Sequence, residues 1–147
     1  VYTQEHQSLD YSKTLVEMVR EVKPMYQREA AAFLTQFLFE WKRANEQTVG
    51  SLSGGERSRL QMALLMLQQP NFLLLDEPTN NLDIASCEVL EKALDDFNGT
   101  VLIISHDRYF LDQTVDRIVE LDPDQGVLVN YTGGYTDYLE TKQRVKR

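Results

Sequence analysis

Two adjacent carboxylates follow an apolar run in the middle of the chain. Residues 72–75 are Phe-Leu-Leu-Leu, and Asp76, Glu77 and Pro78 come next. Such a run is typical of a strand covered on both faces, and open α/β sheets bind ligands beyond the carboxyl ends of their strands. One carboxylate can hold Mg²⁺, directly or through water, while the other orients or deprotonates a water that attacks a phosphate. Because neighbouring strand residues point to opposite faces, the chain must turn here, and Pro78 favours that turn.

A second candidate phosphate site precedes the carboxylates, at Leu52, Ser53, Gly54, Gly55 and Glu56. The spacing of Ser53 and Glu56 is that of a capping box, so a helix is predicted over 53–69. Its free N–H groups and dipole favour an anion, and the glycines permit close approach of a phosphate. A plain helix cap is the alternative, and the two are compatible because the hydroxyl and the backbone amides are different donors.

Three further polar positions stand next to predicted elements. His106 follows a second apolar run at 101–104, so we expect it beside Asp76 and Glu77 at one sheet edge. An incidental polar residue at a strand end is the alternative for His106. Asp83 and Asp107 each precede a predicted helix and are candidate N-caps.

The remaining pattern predicts an α/β fold with parallel strands. A helical region over 12–45 begins at Ser12 or Asp10, is broken by Pro24 and continues in a second helix through Leu38. Helix 84–97 joins the two apolar strands into a βαβ unit. Residues 117–121 and 127–130 are expected to form a hairpin, and 135–147 a final helix.

Composition is that of an ordinary soluble domain. The 147 residues are 42% hydrophobic and 26% charged, with a net charge of −8 that should repel nucleic acid over most of the surface. The single cysteine, Cys87, excludes an internal disulfide, and no apolar stretch is long enough for a membrane span.

Basic residues gather at the end of the chain, and they are Lys142, Arg144, Lys146 and Arg147. This cluster is either a solvated helix end or an RNA-contacting or linker segment.

The motifs at 52–56 and 72–78 resemble the signature and Walker B motifs of ABC-type ATPases, and 81–83 and 105–107 resemble their D-loop and switch histidine. The resemblance implies ATP and Mg²⁺ as cofactors, Asp76 as a metal ligand, and Glu77 and His106 as catalytic residues. It implies that the signature residues contact the ATP of an opposite ATPase domain, and that Asp83 acts across the same interface; the signature residues are Ser53, Gly54, Gly55 and Glu56. Gln4 looks like the Q-loop glutamine, which reaches the metal and water.

Longer strings at 76–83, 99–102, 105–111 and 131–139 resemble the ABC-F branch, although Asn81 stands where that family often has His. The implied fold is a P-loop NTPase-like ABC ATPase core, with a helical subdomain and signature helix over about 10–69 and the catalytic core over 70–147. The resemblance also implies a cytoplasmic ATPase with two such domains in one chain, acting on the ribosome and its RNA in translation or antibiotic resistance. Residues 37–39 favour the second of the two domains.

A G-x-x-x-x-G-K-[ST] phosphate loop does not occur in the sequence. The expectation is therefore a C-terminal part of an ATPase domain, inactive in isolation without its Walker A segment. In the family, the phosphate-loop strand lies beside the strand at 101–104. Without that neighbour the edge is open, which predicts self-association that light scattering would detect.

Two other functions remain open. The chain could belong to the ATPase subunit of a membrane ABC transporter, although the strings at 105–110 and 131–135 favour the ABC-F branch. It could also be a non-hydrolysing ATP-gated scaffold, a reading that Glu77 and His106 weigh against because loss of a general base costs about 10²- to 10⁴-fold in rate.

Overall fold

The computed structural model describes residues 9–145, and the chain divides into two compact units at the boundary between Ile104 and Ser105. The first unit contains helices α1 (Leu15–Val22), α2 (Gln27–Thr35), α3 (Gly54–Leu67) and α4 (Ile84–Asp95), and strands β1 (Phe72–Asp76) and β2 (Thr100–Ile104). The second unit contains α5 (Arg108–Thr114), β3 (Arg117–Asp122), β4 (Val127–Thr132) and α6 (Tyr135–Val145). The predicted α/β class and element order are confirmed.

Strands β1 and β2 are parallel and joined through α4, as the βαβ prediction required. Their register places Asp76 opposite Ile104 at the carboxyl edge. Leu73 and Leu75 of β1 are buried, but the expectation of cover on both faces is wrong for β2, where Leu102 and Ile104 are 48% and 51% exposed. Within residues 9–145 β2 pairs only with β1, and pairing along an edge does not cover the faces of a strand.

Helix α1 begins after Thr14 rather than after Ser12 or Asp10. Thr14 forms a capping box with Glu17: its hydroxyl accepts from the Glu17 N–H at 3.2 Å, and the Glu17 carboxylate accepts from the Thr14 N–H at 2.8 Å. Asp10 instead accepts two hydrogen bonds from Ser12, which forms a local turn before the helix. The helix ends at Val22, ahead of Pro24, as predicted.

Helix α2 stops at Thr35, earlier than the predicted end at Leu38. Leu38 has a positive φ of 63°, which a helix does not contain, and the Phe39 N–H donates back to the Leu34 carbonyl at 3.2 Å. This reversal buries both Phe37 and Phe39, each 5% exposed. Tertiary burial of two aromatic rings therefore overrides the helical periodicity of the sequence.

The second unit is a hairpin packed by two helices. Strands β3 and β4 are antiparallel over their full length, which confirms the predicted hairpin, and α6 packs against β4 and α5. Phe110 of α5 is 1% exposed. Lys142 forms an ion pair with Glu120 and donates to the Tyr138 hydroxyl at 3.0 Å, so this member of the basic cluster takes part in the fold.

Candidate functional site

The two adjacent carboxylates lie where β1 turns out of the sheet. Asp76 is exposed as the last strand residue, and Glu77 has a φ of +45°, a conformation uncommon for any residue other than glycine. The Glu77 N–H donates to the Ile104 carbonyl of β2 at 2.8 Å, and the following Pro78 is fully buried. The turn that the sequence required is present, and it gives the two carboxylates different backbone conformations.

The glycine-containing loop ends in a capping box at the start of α3. The Ser53 hydroxyl accepts from the Glu56 N–H at 3.2 Å, and the Glu56 carboxylate accepts from the Ser53 N–H at 2.7 Å, as the spacing predicted. The first N–H groups of a helix have no acceptor within the helix, so those of Gly54 and Gly55 point beyond its N-terminus. The site therefore combines a satisfied cap with amides suited to an anion.

The two glycines have different surroundings. A Cβ on Gly54 would meet no atom within 4 Å among the described residues, so the space above it is open. A Cβ on Gly55 would lie 2.8 Å from the carbonyl oxygen of Asn81. Gly55 is thus required for close packing against the 81–83 loop, a role in addition to the approach of a phosphate that the sequence suggested.

Asp83 caps α4, as predicted. Its carboxylate accepts from the Ser86 N–H at 2.8 Å, and the Ser86 hydrogen bonds, with a smaller contribution from the positive charge of Arg59, lower the pKa of Asp83. Asn81 precedes it with a φ of +62°, a conformation that asparagine tolerates better than most residues. The loop between β1 and α4 is therefore shaped by two residues with positive φ, Glu77 and Asn81.

The switch-histidine candidate belongs to the second unit. His106 is exposed, and Asp107 caps α5 by accepting from the Phe110 N–H at 3.0 Å, which confirms the predicted N-cap. The Ser105 hydroxyl accepts from the Asp107 N–H at 3.0 Å. Gln4, the proposed Q-loop residue, lies outside the described residues.

The donor set at the end of β1 suits Mg²⁺ with a bound nucleotide. No cluster of three or more histidine, cysteine or acidic side chains that could hold a metal occurs within residues 9–145. Magnesium commonly takes one or two carboxylates and completes its shell with water and substrate phosphates. Asp76, with Glu77 next to it, fits that requirement, whereas a metal cage made of protein alone is not formed by the described residues.

Sequence reasoning did not identify the contacts between α3 and α4. The Arg59 guanidinium donates to the Ser86 hydroxyl at 2.8 Å, although the two residues are far apart in sequence. Ser86 is 4% exposed and Arg59 is partly buried, so this is a part-buried polar contact. The available signals were an arginine on a helix that also carries an apolar stripe and a serine one turn into α4, and neither identifies its partner without the packing.

Solved structures share this fold. The chain matches the RNase-L Inhibitor with a TM-score of 0.65 and 22% sequence identity, over 95% of this chain and 28% of that one. It matches a dimeric ATP-binding cassette in a post-hydrolysis state bound to ADP and Pi with a TM-score of 0.63 and 23% identity, over 87% and 60% of the two chains. Likeness at this identity defines the class of fold, that of ABC ATPase domains.

The family model for ABC transporters matches residues 1–80, and the chain belongs to this family. Its relatives include ATP-binding protein Uup of Escherichia coli strain K12, 42% identical over 141 residues, which are 92% of this chain and 22% of Uup. ABC transporter F family member 5 of Arabidopsis thaliana is 40% identical over 132 residues, or 90% and 19% of the two chains. The Energy-dependent translational throttle protein EttA of Escherichia coli strain K12 is 49% identical over 96 residues, or 65% and 17%.

These relatives place the chain with ABC-F proteins, in agreement with the resemblance of its motifs. The chain spans between 17% and 30% of the length of curated relatives such as these. No helix in the described part of the chain is long and apolar enough to cross a membrane.

Proposed function

We propose that the chain contributes the Walker B, D-loop and switch-histidine segments of a domain that binds and hydrolyses Mg²⁺-ATP. The observation that carries this proposal is the geometry at the end of β1. Asp76 is the last strand residue, and Glu77 has a positive φ and donates its N–H to the Ile104 carbonyl of β2. Such an arrangement offers one carboxylate to a metal and a second to water, in the place where open α/β sheets bind ligands.

In the proposed mechanism Glu77 acts on the attacking water. The water oxygen forms a bond to the γ-phosphorus, the bond to the ADP oxygen breaks, and Glu77 accepts the proton of the water. Asp76 would hold Mg²⁺, which neutralises phosphate charge when bound. His106 is assigned a hydrogen bond to the γ-phosphate or the water, and Gln4 a contact with the metal and water.

The signature residues are assigned to a different ATP molecule, the one held by a second ATPase domain. The open space above Gly54 and the outward amides of α3 support this assignment for Ser53, Gly54, Gly55 and Glu56. Asp83 is assigned to the same interface, because its loop packs directly on Gly55. A second ABC ATPase domain in the same chain is therefore the proposed partner.

We infer further that the complete protein acts in the cytoplasm on the ribosome, in translation or in antibiotic resistance. Support comes from the identity with EttA, whose name describes a translational throttle. The ATPase subunit of a membrane transporter is the second candidate, because the matching family model is that of ABC transporters.

Substitution Glu77→Gln in the full-length protein tests both parts. Loss of the general base should lower ATP turnover by about 10²- to 10⁴-fold while ATP still binds. The trapped, ATP-bound protein should sediment with ribosomes only when ATP is present. Glu88→Gln, the same change at an exposed position of α4, is the matched control and should leave turnover unchanged.

The outcomes separate the alternatives. Unchanged turnover in Glu77→Gln would refute the base assignment and favour an ATP-gated scaffold. Normal ATP binding without ribosome association would refute the translation role and leave the ATPase assignment in place. Recovery of the protein with a membrane complex would favour the transporter subunit.

A further inference from the structure

The two loops assigned to the partner's ATP touch each other within the first unit. Gly55 of the signature and the Asn81 carbonyl approach so closely that a Cβ at Gly55 would lie 2.8 Å from that oxygen. Asn81 is held in a left-handed conformation, with Asp83 two residues further on capping α4. The signature and the Asp83 loop are therefore in direct backbone contact, and a change in the angle between α3 and α4 would separate them.

A partly buried chain of hydrogen bonds restrains that angle one turn further along α3. Arg59 of α3 donates from Nη1 to the Ser86 hydroxyl at 2.8 Å, and the Ser86 N–H donates to the Asp83 carboxylate at 2.8 Å. Ser86 is buried, which strengthens the hydrogen bond relative to one in water. The signature helix is thus connected through two hydrogen bonds to the residue that begins α4.

The guanidinium of Arg59 also contacts the segment that follows α2. Its central carbon lies 4.9 Å from the centroid of the Phe39 ring, and Phe39 is buried by the chain reversal after α2. A planar guanidinium can stack and donate at the same time, whereas lysine offers a compact charge without a plane. Arg59 therefore lies where α3, α4 and the chain reversal after α2 meet.

We propose that Arg59 is a positioning residue that couples the signature loop to the Asp83 loop, so that both reach the partner domain's ATP as one rigid element. This inference rests on the proposed function, in which both loops act on that ATP. The physical reason is that two contacts with one ligand must keep a fixed separation. A displacement of about 1 Å in such a group can cost about 100-fold in rate.

The test compares two arginines of the same helix in the full-length protein. Arg59→Ala should lower kcat by about 10- to 100-fold, with little change in the KM for ATP, because phosphate binding at the protein's own site is untouched. Arg57→Ala is the matched control: Arg57 lies over the Tyr11 ring at 4.7 Å and donates to the Gly50 carbonyl at 3.1 Å, both in the segments before α3. It should lower the melting temperature as much as Arg59→Ala and keep kcat near the wild-type value.

A double-mutant cycle with Ser86→Ala isolates the coupling. If Arg59 acts through Ser86, the double variant should lose no more kcat than Arg59→Ala alone, whereas independent effects would multiply. Arg59→Lys should restore part of the lost rate, and it replaces Arg59→Ala if that variant fails to fold. Multiplying effects, or equal loss of kcat in the Arg57 and Arg59 variants, would overturn the proposal.

Hydrogen exchange gives a readout that is independent of turnover. Arg59→Ala should raise amide exchange at both 53–56 and 81–83, while Arg57→Ala should raise it at 50–52. Faster exchange at only one of the two loops would overturn the coupling. If the wild-type protein had no ATPase activity, the proposed function would be refuted. The coupling between the two loops would still be tested, because the exchange comparison does not depend on turnover.

Discussion

The two units of the chain are stabilised by different kinds of contact. The first has an apolar core in which large side chains from helices and β1 expose at most 1% of their surface; they include Leu15, Leu34, Leu60, Leu73 and Leu75. In the described part of the second unit, Phe110 is the one hydrophobic residue buried to that degree. The hairpin of that unit leaves Val119 and Leu121 43% and 64% exposed.

Directional contacts supplement the buried ring of Phe110 in the second unit. Tyr138 packs edge-on against Tyr131 with ring centroids 4.9 Å apart, and Lys142 pairs with Glu120. Asp112 of α5 accepts two hydrogen bonds from Thr136 at the start of α6, at 2.6 and 2.7 Å. Apolar burial is non-directional and insensitive to pH, whereas these contacts depend on geometry and charge, so the two units should respond differently to mutation and acid.

The largest expected effect is on the buried ring of the second unit. Phe110→Ala should destabilise by about 3–5 kcal/mol, because it removes a fully buried aromatic side chain. Hydrogen exchange resolved by peptide should show lost protection over 108–145 and retained protection in α1 and β1. Leu75→Ala, at a site 0% exposed in β1, is the comparison and should reverse the pattern. Equal loss in both units for either variant would break the distinction between them.

A smaller effect is expected from the aromatic cluster. Tyr138→Leu keeps an apolar side chain but removes the ring contacts with Tyr131 and Tyr135, each worth about 0.5–1.5 kcal/mol, together with the hydrogen bond from Lys142. Urea unfolding followed by tyrosine fluorescence measures the loss. Tyr26→Leu is the control, since Tyr26 is 80% exposed at the start of α2. A loss as large in the control would show that the cluster is not a specific source of stability.

The smallest effect concerns acid. Hydrogen bonds from the Thr136 side chain and backbone lower the pKa of Asp112 below its ordinary value of 3.8. The folded state therefore binds this proton less readily than the unfolded state, so the stabilisation is full above the ordinary pKa and is lost as pH falls through the lowered one. Exchange protection of α6 should decline below about pH 4, where the unfolded carboxyl begins to take up a proton.

Asp112→Asn supplies the control for that pH dependence. The variant lacks the titrating carboxylate, so protection of α6 should be weaker than in the wild type at neutral pH and flatter between pH 5 and 3. An unchanged pH profile in Asp112→Asn would assign the acid response to another carboxylate, for which Glu120 with its Lys142 partner is the nearest candidate.

Features set by local sequence were predictable. The caps at Ser53, Asp83 and Asp107 are confirmed because an N-cap needs only a short polar side chain and the backbone three residues on. The strands, the βαβ unit and the hairpin follow from apolar runs and their spacing. The roles assigned to Asp76, Glu77, Ser53 and His106 remain predictions, since they concern a nucleotide and a partner domain.

Features set by distant residues were not predictable. The end of α2 depends on burying Phe37 and Phe39. The start of α1 was missed for another reason, because the capping-box spacing of Thr14 and Glu17 is a local signal that the sequence contains. The contacts of Gly55 with Asn81 and of Arg59 with Ser86 join separate helices. Exposure of β2 depends on which elements pack on its two faces, and an apolar run in the sequence does not identify them.

The left-handed backbone of Glu77 determines how alleles at this position can be interpreted. A saturation library would mix two kinds of failure, loss of the carboxylate and loss of the turn. Valine, isoleucine and threonine are poorly tolerated at a φ of +45°, so their inactivity would report on backbone conformation as well as chemistry. Glycine would accept the turn and lack the carboxylate. Comparing the glycine and glutamine alleles would therefore separate the effect of losing the carboxylate from the effect of changing the backbone conformation.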